Sequence, residues 1–294
     1  MMAAPLQADP TAAPAHPWDA AAEGWDRQSP LLGARLREAT AALLDASAIG
    51  PGSRVLDVAA GAGEQTLDIA RRVGPAGQVL ATDISPRILE LARAKLQRAG
   101  FPGVQTHVAD AEALGLALEP DDAGFDAVVC RLGLMFCTRP AAALAAARAA
   151  LKPGGRFGAL VFAAPPANPC IALLAATALR HAGRTAASPN EPGTLLSLGQ
   201  PGLMQSLLQT AGYADISVRA LAAPMRLPSA RHYIDFVQTA GLPIMALLAP
   251  LSALSAPAQA AAWSDIEQQL LRFHSAGGWI GPNELLLCAA TRPH

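Results

Sequence analysis

Val55-Leu56-Asp57-Val58-Ala59-Ala60-Gly61-Ala62-Gly63-Glu64 reads as a buried strand that ends in a carboxylate and runs into a glycine loop opening a helix. Val55 to Val58 is a short, β-branched, apolar run of the kind found in a parallel strand covered on both faces. Gly61 and Gly63 let backbone approach a ligand closely, and Thr66, Leu67, Ile69 and Ala70 continue at helical spacing. The free N–H groups of such a loop, with the positive end of its helix, face whatever lies above the strand. The arrangement predicts a nucleotide pocket.

Dinucleotide-binding folds share this geometry, so the details must separate the two. The dinucleotide fingerprint has a third glycine three residues after the second; here Thr66 holds that place, and Asp57 precedes the loop on the strand itself. A nicotinamide oxidoreductase is therefore disfavoured. A second acid, Asp83, ends the run Gln78-Val79-Leu80-Ala81-Thr82, roughly 20 residues past the loop, where a carboxylate accepts hydrogen bonds from a ribose diol. A third acidic segment, Ala109-Asp110-Ala111-Glu112, follows Val104 to Val108. Three successive strands ending in carboxylates predict one continuous rim.

This series resembles the motifs of the class I S-adenosylmethionine-dependent methyltransferases, over about Trp25 to Pro166. Phe125 to Phe136, with Ala150-Leu151-Lys152-Pro153-Gly154-Gly155-Arg156, resembles the branch of ubiquinone and menaquinone biosynthesis methyltransferases. The resemblance implies S-adenosyl-L-methionine as cofactor. It implies a methionine-end cradle at Asp57, Ala59, Gly61, Gly63 and Gln65, a ribose site at Asp83 with Ile84, and an adenine side at Asp110, Ala111 and Glu112. Ala59 stands where the family often has glycine, so a negative φ is expected there.

Twenty-two basic and 23 acidic residues nearly balance, without a Lys/Arg stripe, which argues against nucleic acid as a partner. No Asn-Pro-Pro-aromatic run follows the fourth strand, so a small-molecule acceptor is favoured. Cys130, Cys137, Cys170 and Cys288 are scattered and read as reduced thiols, and the six histidines have no metal spacing. No metal site is expected. Met1 to Pro17, rich in Ala and Pro, reads as a disordered tail and not as a signal peptide, which suggests a cytoplasmic protein. Ala240 to Pro257 is apolar but broken by prolines, too short for a membrane span and suited to buried helix packing. Oligomeric state stays open, a homodimer included.

The expected fold is α/β: a doubly wound, mostly parallel seven-stranded Rossmann-like methyltransferase sheet, with N-terminal helices and a helical cap inserted before the last strand. Residues 18–50 read as lid helices, split into Trp18 to Asp26 and Pro30 to Ala48. Residues 51–223 read as the cofactor-binding core, 224–281 as the cap, and 282–294 as the last strand and C-terminus. Ser85-Pro86 reads as an N-cap with proline in the first turn.

Methyl transfer from a sulfonium is an in-line displacement that needs alignment and dryness more than a protein nucleophile. For a phenol or enol acceptor a base would help, and His181, His232, Tyr233 and His274 are the titratable candidates, at most one of them acting; each also suits a structural or exposed place. Arg131 ends the fourth strand, with a surface ion pair and a contact to the methionine end as its two readings. Trp25 and Gln28 are candidate lid residues, and Met135, Phe136 and Met204 suit core packing better than an acceptor wall. The reading that competes with methyl transfer is a binding module that keeps the cofactor pocket without the reaction.

Overall fold

The computed structural model describes residues 16–117, 124–185, 191–239 and 246–294. Nearly all of the expected tail, and residues 240–245 of the apolar stretch, lie outside them. Strands β1 (Arg54–Val58), β2 (Gln78–Asp83), β3 (Gln105–Val108), β4 (Phe125–Arg131), β5 (Leu151–Phe162), β6 (Ala214–Ala222) and β10 (Glu284–Thr291) form one sheet in the order β3-β2-β1-β4-β5-β10-β6. β10 runs antiparallel to both neighbours and the remaining pairs are parallel. The parallel pairings place Val58 beside Thr82 and Cys130, so β1, β2 and β4 end at one edge. Ligands of open α/β sheets bind at that carboxyl edge.

Helices α2 (Glu64–Val73), α3 (Pro86–Arg98), α4 (Leu114–Ala117), α5 (Pro140–Ala150), α6 (Pro169–His181) and α7 (Leu203–Thr210) follow their strands as the alternation requires. Ser85 caps α3 as expected: its Oγ accepts the Ile88 N–H at 3.1 Å, with Pro86 in the first turn. Val55, Leu56, Val128, Val129, Leu160 and Val161 are fully buried between the helical layers.

The two expected N-terminal helices are one, α1 (Pro17–Ala46), with Pro30 inside it. Proline at that position removes the hydrogen bond to the Asp26 carbonyl, which ordinarily breaks a helix. Here the Ser29 hydroxyl donates to that carbonyl at 2.7 Å and the helix continues. Asp19 of α1 accepts from the Ser85 hydroxyl and the Arg87 N–H, and Glu23 pairs with Arg87, fastening the helix across the start of α3.

The segment between β6 and β10 is less helical than expected. It holds α8 (Ala230–Thr239) and α9 (Ala256–Leu270), but it opens with β7 (Met225–Leu227) and closes with β8 (His274–Ser275) and β9 (Gly278–Gly281), which form a separate antiparallel sheet ordered β7-β9-β8. Those strands are too short to show a clear period of two. Its interior is a second apolar cluster in which Tyr233, Val237, Ile266, Leu270 and Trp279 join Leu32 of α1 with Cys170 and Leu174 of α6. Among the described residues no helix is long and apolar enough to cross a membrane.

The C-terminal end of α1 lies directly on β5, where a Cβ on Gly158 would come within 2.1 Å of Ser47 Oγ and 2.8 Å of Leu43 Cδ1. Gly158→Ala should therefore overpack the helix–sheet contact and lower stability by about 1–3 kcal/mol. The urea midpoint is the measurement.

Candidate active site

Asp57, on β1, is fully buried and accepts hydrogen bonds from Gln65 Nε2 at 2.6 Å and Thr66 Oγ1 at 2.7 Å. The carboxylate thus ties the strand to the first turn of α2 and fixes the loop between them. Burial pushes its pKa up to about 6, against the two hydrogen bonds and the Arg131 charge, which favour ionisation. Thr66, in place of a third glycine, supplies one of these donors.

The loop departs from expectation at Ala59, whose φ is +54°. The Ala60 N–H donates to the Thr82 carbonyl of β2 at 2.9 Å, and to reach it the chain must turn through the left-handed region. Leu132, just after β4, has φ +59°, so two non-glycine residues at the rim hold a conformation that costs on the order of 1–2 kcal/mol each. Gly133 fits beside them because a Cβ there would meet Ala59 Cβ at 2.4 Å.

Asp83 ends β2, accepting the Gly61 N–H at 2.9 Å and the Ser85 N–H at 3.0 Å. Burial raises its pKa against those two bonds. Asp110 accepts the Glu112 N–H at 2.8 Å and shapes the turn carrying Ala111. Glu112 turns away to the loop before α5, accepting from Thr138 N at 2.6 Å, Thr138 Oγ1 at 3.0 Å, Arg139 N at 3.0 Å and Arg139 Nε at 2.9 Å. Burial would raise its pKa, but these donors outweigh it and hold it below the usual range.

These residues surround a cavity of about 470 Å³ above the sheet edge. Of the expected cofactor residues, Ala59, Gly61, Gln65, Asp83, Ile84, Asp110, Ala111, Glu112 and Arg131 line it. Asp57 lies beneath the loop, and Gly63 faces α3, where a Cβ would meet Ala92 Cβ at 3.1 Å. Arg131 donates to Thr40 Oγ1 of α1 at 2.9 Å; burial lowers its pKa while Asp57, Glu64 and Asp68 raise it, so the surface ion-pair reading is set aside.

Trp25 lines the cavity as expected, its Nε1 3.1 Å from where a Gly61 Cβ would be. Trp18 meets Trp25 edge-on at 6.1 Å and Phe136 at 5.4 Å, and both Trp18 and Phe136 are wall residues. Gln28 is not on the wall; it donates to Thr239 Oγ1 at the end of α8. Met135 and Met204 are buried in the main core. His16, Leu32, Leu36 and Glu64 also line the cavity and were not singled out by sequence. The i, i+4 spacing of Leu32 and Leu36 marks them only as a buried helix face, while His16 lies within the segment read as a tail, whose last two residues instead cap and open α1.

None of the four candidate bases lines the cavity. His181 Nε2 lies 2.9 Å from Asp265 Oδ2 between α6 and α9, and His232 Nδ1 is 2.9 Å from Ser229 Oγ on the surface. His274 is exposed on β8. Tyr233 stacks on Trp279 at 4.8 Å inside the second cluster, with its phenol pushed up by burial. Periodicity gave no sign that these side chains face other elements. Among the described residues no group of His, Cys, Asp or Glu could hold a metal ion.

Asp57 titrates upward on folding, so the native state binds more protons than the unfolded chain between pH about 4 and 6. Stability should therefore fall as pH rises through that window, by ~3 kcal/mol from this group. Asp57→Asn should flatten the curve of urea midpoint against pH, leaving the same-signed contribution of Asp83.

Residues 55–155 match a family profile described as a methyltransferase domain. The ubiquinone/menaquinone biosynthesis C-methyltransferase UbiE of Teredinibacter turnerae is 43% identical over 123 residues, 42% of this chain and 48% of the relative. The chain spans about half the length of the curated relatives it matches. Phosphoethanolamine N-methyltransferase 2 of Haemonchus contortus, solved with S-adenosyl-L-methionine, shares the fold at 17% identity, with a TM-score of 0.53 over 87% of this chain and 53% of that one. The cyclase SpnF shares it at 18% identity, with a TM-score of 0.53 over 95% of this chain and 98% of that one. With its acid-glycine loop at the carboxyl edge of a sheet ordered β3-β2-β1-β4-β5-β10-β6, the chain has the fold of these S-adenosylmethionine-dependent methyltransferases, and its residues 55–155 match a methyltransferase domain.

Proposed function

We propose that the protein transfers a methyl group from S-adenosyl-L-methionine to a small, largely apolar acceptor: a phenol, a quinone precursor or a polyketide-like molecule. The observation that carries this reading is Gln65 Oε1, a buried oxygen on the cavity wall with no hydrogen-bond partner. Its orientation follows from the neighbouring Nε2, which donates to Asp57. A buried acceptor left unpaired is costly, and an ammonium group satisfies it. The fit extends along the rim: Gln65 for the ammonium of the cofactor's methionine end, Arg131 for its carboxylate, Asp83 for the ribose hydroxyls and the Asp110–Ala111 turn for the adenine. About 470 Å³ is within the range of small-ligand sites. When bound, S-adenosyl-L-methionine supplies the activated methyl.

The chain's own task is then to align the acceptor and exclude water. Trp18, Trp25, Phe136, Leu32 and Leu36 give the cavity an apolar wall. The Cys137 thiol, which also lines it, is pushed up to about 12 by burial and by the Glu112 and Asp110 charges, which makes it a poor nucleophile at neutral pH. Trp25 and Leu32 also pack against the second cluster, so the insertion between β6 and β10 shapes the acceptor end through α1. Specificity resides in that insertion, outside residues 55–155 that match the methyltransferase-domain profile.

Turnover tested on phenols and hydroquinones with methyl-labelled cofactor should give S-adenosylhomocysteine and methylated product together. Tight cofactor binding with no product from any of them would favour the second reading, a binding module, for which the fold shared with a cyclase is the motive. Asp83→Ala should weaken S-adenosylhomocysteine binding about ten- to hundredfold in calorimetry. The loss should shrink for the 2′-deoxy analogue, which separates ribose recognition from loosening of the loop. His181→Gln, His232→Gln and His274→Gln should each leave the pH–rate profile unchanged, since none reaches the cavity.

A further inference from the structure

The Gln65 side chain, in the first turn of α2, sits between two different surroundings. Its Nε2 donates to Asp57 Oδ1 at 2.6 Å, and its Oε1 is buried on the cavity wall without a hydrogen-bond partner. An amide has a donor end and an acceptor end, so the end that the cavity receives is decided by what the other end meets. An ionised carboxylate only accepts, so Asp57 draws the NH2 group inward and leaves the oxygen outward. Thr66 Oγ1 donates to the second Asp57 oxygen at 2.7 Å. Burial pushes the Asp57 carboxyl up to about 6, which brings its protonated form within reach of mildly acid pH. From β4 the Arg131 charge favours ionisation, and from β2 the Asp83 charge opposes it. Cys130 of β4 is kept a neutral thiol by burial. Glu64 and Asp68 of α2 act on Arg131, and α1 reaches the group through Thr40, the acceptor for Arg131 Nη1.

A protonated carboxyl carries an O–H that has to be donated. The Thr66 hydroxyl is fully buried and already gives its own hydrogen to Asp57, so to receive another it would need a new acceptor. Gln65 needs none, because reversing its amide offers Oε1 to the new O–H and turns the NH2 group to the cavity. Resting on the reading of Gln65 as the ammonium site, we propose that Asp57 is the positioning residue that sets the polarity of the Gln65 amide. Ionised, it aims an oxygen at the ammonium of the cofactor's methionine end; protonated, it reverses the amide and presents N–H donors there instead. One proton on the strand beneath the loop thus switches recognition of the amino-acid end. Affinity for an ammonium-bearing ligand is full above the Asp57 titration and is lost as pH falls through it.

The test compares S-adenosylhomocysteine with 5′-methylthioadenosine by calorimetry on the full chain. Both carry the adenosine and only the first has the ammonium and carboxylate, so the ratio of their affinities cancels the titration of Asp83. That ratio should fall about tenfold from about pH 8 to about pH 5, where roughly a tenth of Asp57 stays ionised. Gln65→Met should lower the ratio at about pH 8 and make it independent of pH. A direct effect of the Asp57 charge on the ammonium would persist in that variant. Asp57→Asn, which cannot ionise and offers an N–H donor to Gln65, should hold the ratio at its acid value throughout. A wild-type ratio that is constant with pH, a fall that survives Gln65→Met, or a wild-type ratio in Asp57→Asn at about pH 8 would overturn the assignment. Should Asp57→Asn not fold, the wild-type and Gln65→Met titrations decide. If the wild type does not prefer S-adenosylhomocysteine at about pH 8, or Gln65→Met leaves that preference intact, the ammonium reading on which the inference rests is removed instead.

Discussion

The hydrogen bonds from Gln65 and Thr66 to the buried Asp57 carboxylate are the constraint on which the rest of the site depends. They hold the first turn of α2 against β1, so the loop between them has one path. That path takes Ala59 through positive φ, brings Ala60 to β2 and presents the Gly61 N–H to Asp83. Two strand-end carboxylates thus organise one loop from opposite sides. Burial raises both pKa values, and of the two only Asp83 lines the cavity, where a hydroxyl-bearing ligand can reach it.

Helix α1 converts this rim into an enclosed cavity. It can do so because it remains one rigid rod across Pro30, where Ser29 takes over the orphaned Asp26 carbonyl. Ser29 also accepts from Lys95, which pairs with Asp26 and Glu64, so the proline step is fixed to α2 and α3 by a polar network beside the cavity. Farther along, Leu43 and Ser47 settle on Gly158 of β5. One helix therefore touches the cofactor loop, the sheet and the inserted segment, and any displacement of it is felt at all three.

The inserted segment between β6 and β10 has its own apolar interior, with Trp279 fully buried and donating Nε1–H to the Leu270 carbonyl at 2.8 Å. Gly281 leaves room for that indole, since a Cβ there would meet the ring at 2.3 Å. Its connection to the cavity runs through Leu32 and Trp25. This division suits a fold in which the sheet edge recognises a common cofactor while variable chain recognises the acceptor.

The sequence by itself determined the sheet and the rim. Strand runs ending in Asp57, Asp83 and Arg131, with the glycines between, are local signals, because period and turn chemistry act over a few residues. The N-cap at Ser85 and the helix–strand alternation were legible for the same reason. Tertiary structure decided what depends on neighbours distant in sequence. Whether Pro30 ends a helix depends on Ser29 finding a carbonyl, and whether Ala59 takes positive φ depends on Thr82, 23 positions away. His181, His232, Tyr233 and His274 looked equally available as bases, yet Asp265, Ser229, Trp279 and exposure on β8 claim them one by one. The long-range contacts that place these side chains are what a local pattern does not encode.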